Sequence, residues 1–356
     1  MVVAGGGTGG HLFPGLAVAE RVAGADAGRV LFVGSAYGIE ARVIPQTRFE
    51  FRPLPIRGLR GRGWRGALQL TAQLPSAIVR AWRILGEFGA DVVLGVGGYA
   101  SAPVVIAAWL RRIPSVLLEQ NAHPGWANRA LARIARRICT TFAEANAYFP
   151  AGKVVLTGNP VRLFAAPAAA PRSGFTLLVF GGSQGAHRVN EAMADAAAAL
   201  RDAIPGLRVI HQTGAADHAA LQARYASLGV AAEVREFIDD MGAAYHAADL
   251  VVCRAGATTV AELTALGKPA ILVPYPFAAD DHQRANASVL AAHGAGILVL
   301  DRELGGAGLA QTIIELARDR ARLTAMGDAA RRLGVPDAAA QVVTTCREVV
   351  GGGAVE

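Results

Sequence analysis

The feature that most constrains this chain is a repeated pattern: a short apolar run, a glycine-rich turn, and then a segment rich in alanine and leucine. One series of apolar runs extends from Met1 to Leu156, and a second extends from Thr176 to Leu300. Apolar runs that look buried on both faces and alternate with helices are typical of parallel sheets. We therefore predict an α/β fold of two Rossmann-like, doubly wound domains that face each other across a cleft.

The strands predicted in the first series are Met1–Ala4, Val30–Val33, Val92–Leu94, Val116–Leu118 and Val154–Leu156. Residues 163–174 are rich in alanine and proline without periodicity, which favours a linker. We predict an N-terminal domain over residues 1–163, a linker over 164–174 and a C-terminal domain over 175–336. The amphipathic segment 337–356 fits docking on either domain.

Composition limits the class of protein. With 53% hydrophobic residues, the 356-residue chain can bury a sizeable core. Its three cysteines show no CxxC spacing, which argues against a disulfide scaffold and a cysteine zinc site. No apolar run approaches the roughly 18 residues of a membrane span. A strand and a glycine turn follow the first residue directly, so we expect no signal peptide and a soluble, cytoplasmic protein.

Charge divides the chain unevenly. Residues 1–163 hold 19 basic against 8 acidic residues, whereas the remainder holds 16 against 20. A basic half indicates an anionic partner, and nucleic acid, a membrane surface and phosphorylated substrates all fit. No RRM, KH or helix-turn-helix signature accompanies the charge, so nucleic acid is the least favoured.

Glycine turns follow the first strand of each series, at residues 5–10 and 181–185. Such turns let backbone N–H groups approach an anion at a helix start. Neither is a Walker A loop, because no Gly-Lys-Ser/Thr follows. The first has the G-x-G-x-x-G spacing, but Gly34-Ser35 ends the second strand where a dinucleotide site needs an acid, so NAD is disfavoured.

Several polar residues next to these turns have two interpretations. His11 is either an ordinary loop histidine or a general base. Glu262 is either the partner of Thr259 in a capping box or a ligand of a ribose diol. Gln283 suits sugar hydroxyls, while Glu119 and its neighbours are either turn formers or ligands. Arg162 fits a surface charge or a phosphate contact, and Asp280-Asp281 shows no metal-ligand spacing.

Residues 51–86 contain seven arginines and no acid, interleaved with Trp64, Ile78, Trp82 and Leu85. The last three fall on one helical face. The segment is therefore either a core-facing amphipathic helix with solvated arginines or a peripheral membrane contact, with Arg83 on anionic headgroups.

Taken together, these segments resemble the MurG family of peptidoglycan glycosyltransferases. The resemblance rests on eight ordered motifs: Gly6-Gly-Thr-Gly-Gly-His11 with Phe13-Pro-Gly-Leu-Ala17, Gly97-Gly-Tyr99, Glu119-Gln-Asn121, Gly158-Asn-Pro-Val-Arg162, Gly181-Gly-Ser-Gln-Gly185, Phe237-Ile-Asp-Asp-Met241, Cys253-Arg254 with Glu262, and His282-Gln283 with Asn286.

The resemblance implies a GT-B fold that takes the donor UDP-GlcNAc mainly on the C-terminal domain and the acceptor lipid I on the N-terminal one. It implies acceptor contacts at Tyr99 and Asn128. In the C-terminal domain it places the diphosphate at Ser183, uracil at the Ile238 backbone, ribose at Glu262 and the sugar hydroxyls at Gln283. Further implied donor contacts are Thr8, Gly9, Gly10, Asn121, Arg162, Ala257, Thr258, Thr259, Val260 and Ala261.

The implied reaction is inverting: the MurNAc 4-hydroxyl attacks the anomeric carbon and UDP leaves. We expect His11 to be the base, with Glu119 as its rival, and we expect no cofactor and no resident metal. The family's peripheral attachment to the cytoplasmic membrane face favours membrane contact through Trp64, Ile78, Trp82 and Arg83, and cell-wall synthesis proteins are candidate partners. The alternatives are a transferase or epimerase of soluble UDP-sugars and a non-catalytic UDP-sugar-binding protein.

Overall fold

The chain forms two compact units, Met1–Val161 with Val335–Glu356, and Arg162–Gly334. The structure, a computed structural model, describes residues 1–25, 28–57, 63–161, 174–182, 184–335 and 337–352, without the side chains of residues 25 and 63–72. Of the linker predicted over residues 164–174, only Gly174 lies among the described residues.

The first unit is a seven-stranded parallel sheet with the order β3-β2-β1-β4-β5-β6-β7. Its strands are β1 (Val2–Ala4), β2 (Leu31–Ser35), β3 (Glu50–Leu54), β4 (Val93–Gly95), β5 (Ser115–Glu119), β6 (Arg137–Thr140) and β7 (Val154–Leu156). Its helices are α1 (Gly9–Ala25), α2 (Glu40–Val43), α3 (Gly63–Phe88), α4 (Ser101–Leu110) and α5 (Trp126–Leu131), with short 3₁₀ turns at Ile44–Gln46, Ala143–Tyr148 and Ala151–Lys153.

The second unit is a six-stranded parallel sheet with the order β10-β9-β8-β11-β12-β13. Its strands are β8 (Phe175–Phe180), β9 (Leu207–Gln212), β10 (Ala232–Arg235), β11 (Leu250–Cys253), β12 (Ala270–Leu272) and β13 (Gly296–Leu298). Its helices are α6 (His187–Ala203), α7 (His218–Ser227), α8 (Met241–Ala247), α9 (Ala257–Leu266), α10 (His282–Ala292), α11 (Gly306–Arg318) and α12 (Arg320–Leu333), with 3₁₀ turns at Ala279–Asp281 and Asp301–Glu303.

Both sheets have the doubly wound strand order, which reverses beside the first strand of each unit. The prediction of two Rossmann-like α/β units is confirmed. In the first unit Ala4 pairs with Gly95, and Gly95 pairs with Leu117. The carboxyl ends of β1, β4 and β5 therefore lie side by side, and the turns that follow them share one edge of the sheet.

Two strands of the first sheet, β3 and β6, were missing from the sequence prediction. β3 is an edge strand whose Glu50 and Arg52 are exposed, and it carries Pro53. Proline is tolerated at a sheet edge, because one side of an edge strand needs no ladder hydrogen bond.

The last helix, α13 (Ala338–Gly351), belongs to the first unit. Val342, Val343 and Cys346 are buried in the same apolar cluster as Val18 of α1 and Cys139 of β6. The sequence did not decide on which domain this segment docks. Burial of these apolar side chains accounts for its docking on the first unit.

Candidate active site

The first glycine loop, residues 5–10, is held by a buried carboxylate. Glu40 is 1% exposed, and its two oxygens accept hydrogen bonds from the backbone N–H groups of Gly7 and Ser35, each at 2.8 Å. A Cβ at Gly6, where φ is +138°, would lie 2.3 Å from the Glu40 carboxyl carbon. Glycine is therefore required there, and Glu40 ties the loop to the end of β2.

His11 lies in the first turn of α1 and contacts the end of β5. Its Nδ1 is 3.1 Å from the Gln120 Oε1, and the Gln120 Nε2 donates to the Val96 carbonyl at 2.9 Å. A carbonyl only accepts, so the amide NH₂ must face Val96 and its oxygen must face His11. The Nδ1 of His11 therefore carries a proton, so that Nε2 is the nitrogen with the lone pair when the ring is neutral.

The turn after β4 makes room for this histidine. Gly97 has φ of +92°, and a Cβ there would lie 2.9 Å from the His11 Nδ1. The neighbouring Tyr99 is half-buried, and its ring lies 3.2 Å from the Cβ position of Gly7. The first two turns therefore pack directly against each other around His11.

Glu119 organises the segment after β5. One carboxylate oxygen accepts from the Asn121 backbone at 3.0 Å and its side chain at 3.3 Å, and the other accepts from Gly125 at 3.2 Å and Asn128 at 2.9 Å. Burial raises the pKa of Glu119, and these hydrogen bonds oppose the shift. Both oxygens are occupied within the unit, which suits a residue that holds Asn121 and Asn128 in place.

The second glycine loop, residues 181–185, is held by an amide instead. The Gln212 Nε2 donates to the Gly182 carbonyl, and its Oε1 accepts from the Ile238 N–H, both at 2.9 Å. Ile238 is buried, and its backbone bonds to the same Gln212 side chain that holds the loop. Ser183 and Arg162, both predicted donor contacts, lie outside the described residues.

Glu262 does not cap a helix, so the capping-box interpretation is wrong. Helix α9 begins at Ala257 with Gly256 as its N-cap, which places Thr259 and Glu262 inside the helix. Instead, the Tyr245 hydroxyl donates to the Glu262 Oε2 at 2.9 Å. Burial, reinforced by the Glu262 carboxylate, raises the pKa of Tyr245, so the phenol stays protonated and orients the carboxylate.

The start of α9 holds the other predicted donor contacts, Ala257, Thr258, Thr259, Val260 and Ala261. The first N–H groups of any helix lack intrahelical partners and attract anions. The Thr258 Oγ1 is buried and has no hydrogen-bond partner among the described residues. This turn therefore offers several donors at the carboxyl end of β11.

Gln283 and Arg254 both support the segment after β12. The Gln283 Oε1 accepts from the Tyr275 N–H at 2.9 Å, which commits its oxygen and leaves its NH₂ to face other groups. Arg254 donates to the Val273 and Pro274 carbonyls at 3.2 and 3.0 Å, and its guanidinium pairs with Asp301 at 2.6 Å. Arg254 therefore helps to hold the backbone of this segment in place.

The predicted membrane segment divides between core and surface. Leu85 is fully buried and Ile78 packs partly against the core, whereas Trp82 is 45% exposed and Arg83 is exposed. The side chain of Trp64 lies outside the described part. The Arg111 guanidinium lies 4.1 Å from the Trp82 ring centre, which joins α4 to α3.

We define the α3–α4 surface as the exposed residues Val79, Arg80, Trp82, Arg83, Trp109, Leu110 and Arg112, together with the half-buried Arg111. Trp109 and Leu110 are each 54% exposed. No described helix is both long and apolar enough to cross a bilayer.

The structure thus gathers the predicted site residues into two sets, one per unit. The first set lies at or after the ends of β1, β4 and β5 and comprises Thr8, Gly9, Gly10, His11, Tyr99, Glu119, Asn121 and Asn128. The second follows β10, β11 and β12 and comprises Ile238, Ala257 to Glu262 and Gln283. Sequence reasoning missed the supporting roles of Glu40, Gln120, Gln212 and Tyr245. Position was a signal for Gln120 and Gln212, because a polar residue at the end of an apolar strand is unusual. Glu40 and Tyr245 lie in α2 and α8, where no such signal marks them. The described residues contain no cluster of three or more acidic, histidine or cysteine side chains able to hold a metal.

Two family models match the chain: the glycosyltransferase family 28 N-terminal domain over residues 1–140 and the C-terminal domain over residues 176–342. Curated relatives cover nearly its full length. The UDP-N-acetylglucosamine–N-acetylmuramyl-(pentapeptide) pyrophosphoryl-undecaprenol N-acetylglucosamine transferase of Anaeromyxobacter sp. (strain K) is 48% identical over 98% of this chain and 93% of the relative. The chain belongs to glycosyltransferase family 28.

Two further comparisons show which members of family 28 this chain is similar to. The Geobacter sulfurreducens transferase of the same name is 49% identical over 96% of both chains. The crystal structure of Acinetobacter baumannii MurG is 34% identical, with a TM-score of 0.81 over 98% of both chains. The resemblance to MurG drawn from the sequence motifs is confirmed, and so is the GT-B fold class.

Proposed function

We propose that this chain transfers N-acetylglucosamine from UDP-GlcNAc to the MurNAc 4-hydroxyl of lipid I, forming lipid II and UDP with inversion at the anomeric carbon. The names of relatives at 48–49% identity support the substrates. The observation that carries the mechanism is the His11–Gln120–Val96 chain of hydrogen bonds, because it orients the ring with a proton on Nδ1 and makes Nε2 the nitrogen that acts as the base.

His11 rather than Glu119 is the base in this proposal. Glu119 accepts four hydrogen bonds within the unit, and abstracting a proton would require it to give up at least part of that network. Glu119 is therefore a positioning residue, which holds Asn121 and the acceptor-side Asn128. His11 Nε2 takes the proton of the attacking hydroxyl as the new glycosidic bond forms.

The second unit holds the donor. Uracil lies against the Ile238 backbone, the ribose diol bonds to Glu262, and the NH₂ of Gln283 donates to a sugar hydroxyl. The N–H groups at the start of α9 and the second glycine loop, including Ser183, face the diphosphate. They stabilise the negative charge that develops on departing UDP, and Thr8, Gly9, Gly10, Asn121 and Arg162 add donor contacts during transfer.

The turnover test uses radiolabelled UDP-GlcNAc with a short-chain lipid I analogue, and in parallel with water-soluble acceptors. We expect label in a disaccharide-lipid whose new linkage NMR identifies as β-1,4. Labelling of soluble acceptors alone would instead support a transferase of soluble substrates, and UDP-GlcNAc binding without any transfer would support the non-catalytic alternative.

We further propose that the α3–α4 surface rests on the anionic cytoplasmic face of the cell membrane, where the lipid acceptor is embedded. Its two tryptophans and Leu110 suit the interfacial region of a bilayer, and its arginines suit anionic headgroups. Ile78 contributes to the core instead, since it packs against the buried cluster.

The membrane test compares vesicle binding of two pairs of variants. Trp82→Ser and Arg83→Gln should each weaken binding to phosphatidylglycerol vesicles several-fold, about 1 kcal/mol for the lost charge, while turnover of a soluble lipid I analogue is spared. Trp126→Ser on α5, which removes a tryptophan 72% exposed, and Arg322→Gln on α12 are the matched controls. Equal losses in the controls would mean that attachment is not specific to the α3–α4 surface.

A further inference from the structure

Gln212 bridges two turns of the second unit. It is the last residue of β9 and pairs with Phe180 of β8 on one side and Arg235 of β10 on the other. Its side chain is buried, with the residue 3% exposed, and its amide bonds to Gly182 after β8 and to Ile238 after β10, both at 2.9 Å. One amide therefore ties the second glycine loop to the segment that contains Ile238.

The two bonds suit the amide of a glutamine. The Gly182 carbonyl can only accept and the Ile238 N–H can only donate, so the partner must offer one donor and one acceptor at opposite sides of a single group. A carboxylate lacks the donor, and an apolar side chain lacks both. Asparagine has the same groups but is one methylene shorter, so it cannot keep both bonds at their present lengths.

We propose that Gln212 is a positioning residue that fixes the spacing between the nucleobase subsite at Ile238 and the diphosphate subsite at the second glycine loop. This inference rests on the proposed function, in which UDP spans both. A nucleoside diphosphate has a limited reach from base to phosphates, so its affinity depends on two subsites that are held at the right separation before it binds. Preorganisation of this kind avoids paying for loop ordering on binding.

The proposal distinguishes ligands that touch one subsite from ligands that touch both. Uridine reaches only the Ile238 segment, whereas UDP reaches both turns. Loss of the Gln212 bridge should therefore weaken UDP much more than uridine, with UMP between them. A residue that merely supported the fold would weaken all three alike.

The experiment measures the affinities of uridine, UMP and UDP by calorimetry for the full chain and for Gln212→Met and Gln212→Asn. We expect UDP to weaken about tenfold or more and uridine about threefold or less, in line with one to two lost hydrogen bonds. The donor KM should rise while kcat and the acceptor KM change little. Gln311→Met on α11, where the exposed glutamine donates to Glu315 of the same helix, is the control.

Equal weakening of uridine and UDP, or no weakening in either variant, overturns the proposal. Gln212→Asn preserves the polarity of the buried site and remains a test if Gln212→Met unfolds, which thermal melting reports. Failure of the wild-type chain to bind UDP would instead count against the proposed function, so the two failures are distinguishable.

Discussion

The first and second glycine loops follow the central strands of two similarly ordered sheets, yet opposite kinds of side chain hold them. Glu40 accepts from the Gly7 N–H of the first loop, whereas Gln212 donates to the Gly182 carbonyl of the second. In the first loop, a backbone N–H group is therefore bonded to a buried carboxylate. In the second loop, a backbone carbonyl is bonded to a neutral amide. The same strand–turn–helix pattern thus gives two different electrostatic environments.

This difference assigns different tasks to the loops. A buried carboxylate beside the first loop lowers its attraction for a diphosphate, while the second loop has no such charge bonded to its described residues. We infer that the second loop is the main diphosphate contact. In the proposed mechanism, the first loop serves mainly to present His11 and the start of α1 to the reacting groups.

The largest expected effect separates the two histidines that follow the loops. His11→Ala should lower kcat about 10²–10⁴-fold, the usual contribution of a general base, with little change in the affinity for UDP-GlcNAc. His187, at the start of α6 after the second loop, is the matched control, because its ring is exposed and pairs with Asp217 at 3.0 Å. His187→Ala should leave kcat within about twofold, as steady-state kinetics would show. Unchanged turnover in His11→Ala would remove His11 as the base.

A second test breaks the carboxylate support of the first loop. In Glu40→Gln an NH₂ group replaces one oxygen and cannot accept from both Gly7 and Ser35, so one buried N–H loses its partner at a cost of about 1–3 kcal/mol. We expect a lower denaturation midpoint in urea and a lower kcat with donor affinity retained. Glu50→Gln, which alters an exposed partner of Arg52, is the control and should change the midpoint little. A loss of stability without any loss of kcat would show that the loop tolerates displacement.

The third test concerns acid. Burial lowers the pKa of His211, which lies in β9 next to Gln212, to about 3, while Asp217 opposes the shift. The unfolded chain takes up this proton below about pH 6.5, whereas the folded chain does not until near pH 3. Stability from this group is therefore complete above pH 6.5 and is lost as the pH falls, by up to about 1.4 kcal/mol per pH unit.

Urea unfolding at pH 7, 6 and 5, followed by a signal that reports on the second unit, measures how steeply the free energy of unfolding falls with pH. His211→Gln should flatten this slope, whereas His123→Gln, which alters a half-exposed histidine of the first unit, should not. An unchanged slope in His211→Gln would assign the acid sensitivity to other groups.

The contribution of Glu119 to stability depends on pH in the opposite direction, because burial raises the pKa of its carboxyl group. Its stabilising contribution falls as the pH rises from the pKa of the unfolded chain to that of the folded chain.

How far the sequence could predict the molecule depended on whether a signal was local. Apolar strands and glycine turns are local, so the two parallel sheets and the loops were predictable. β3 was missed because Pro53 and two exposed charged residues hide the pattern of an edge strand. The supports were missed for another reason: Glu40 and Gly7 are 33 residues apart, and Gln212 and Gly182 are 30 apart, so only strand pairing brings them together. The Glu262 capping box failed because the helix begins at Ala257, two residues before Thr259.

The position of α13 has a consequence for synthesis and for engineering. The first unit buries Val342, Val343 and Cys346, yet these residues are translated only after the whole of the second unit. A ribosome-bound chain that has just completed residue 161 must therefore keep an apolar strip of α1 and β6 uncovered until the last helix emerges. A fragment that ends at residue 161 will expose the same strip in solution, whereas one in which residues 335–352 are rejoined through a short linker regains its cover.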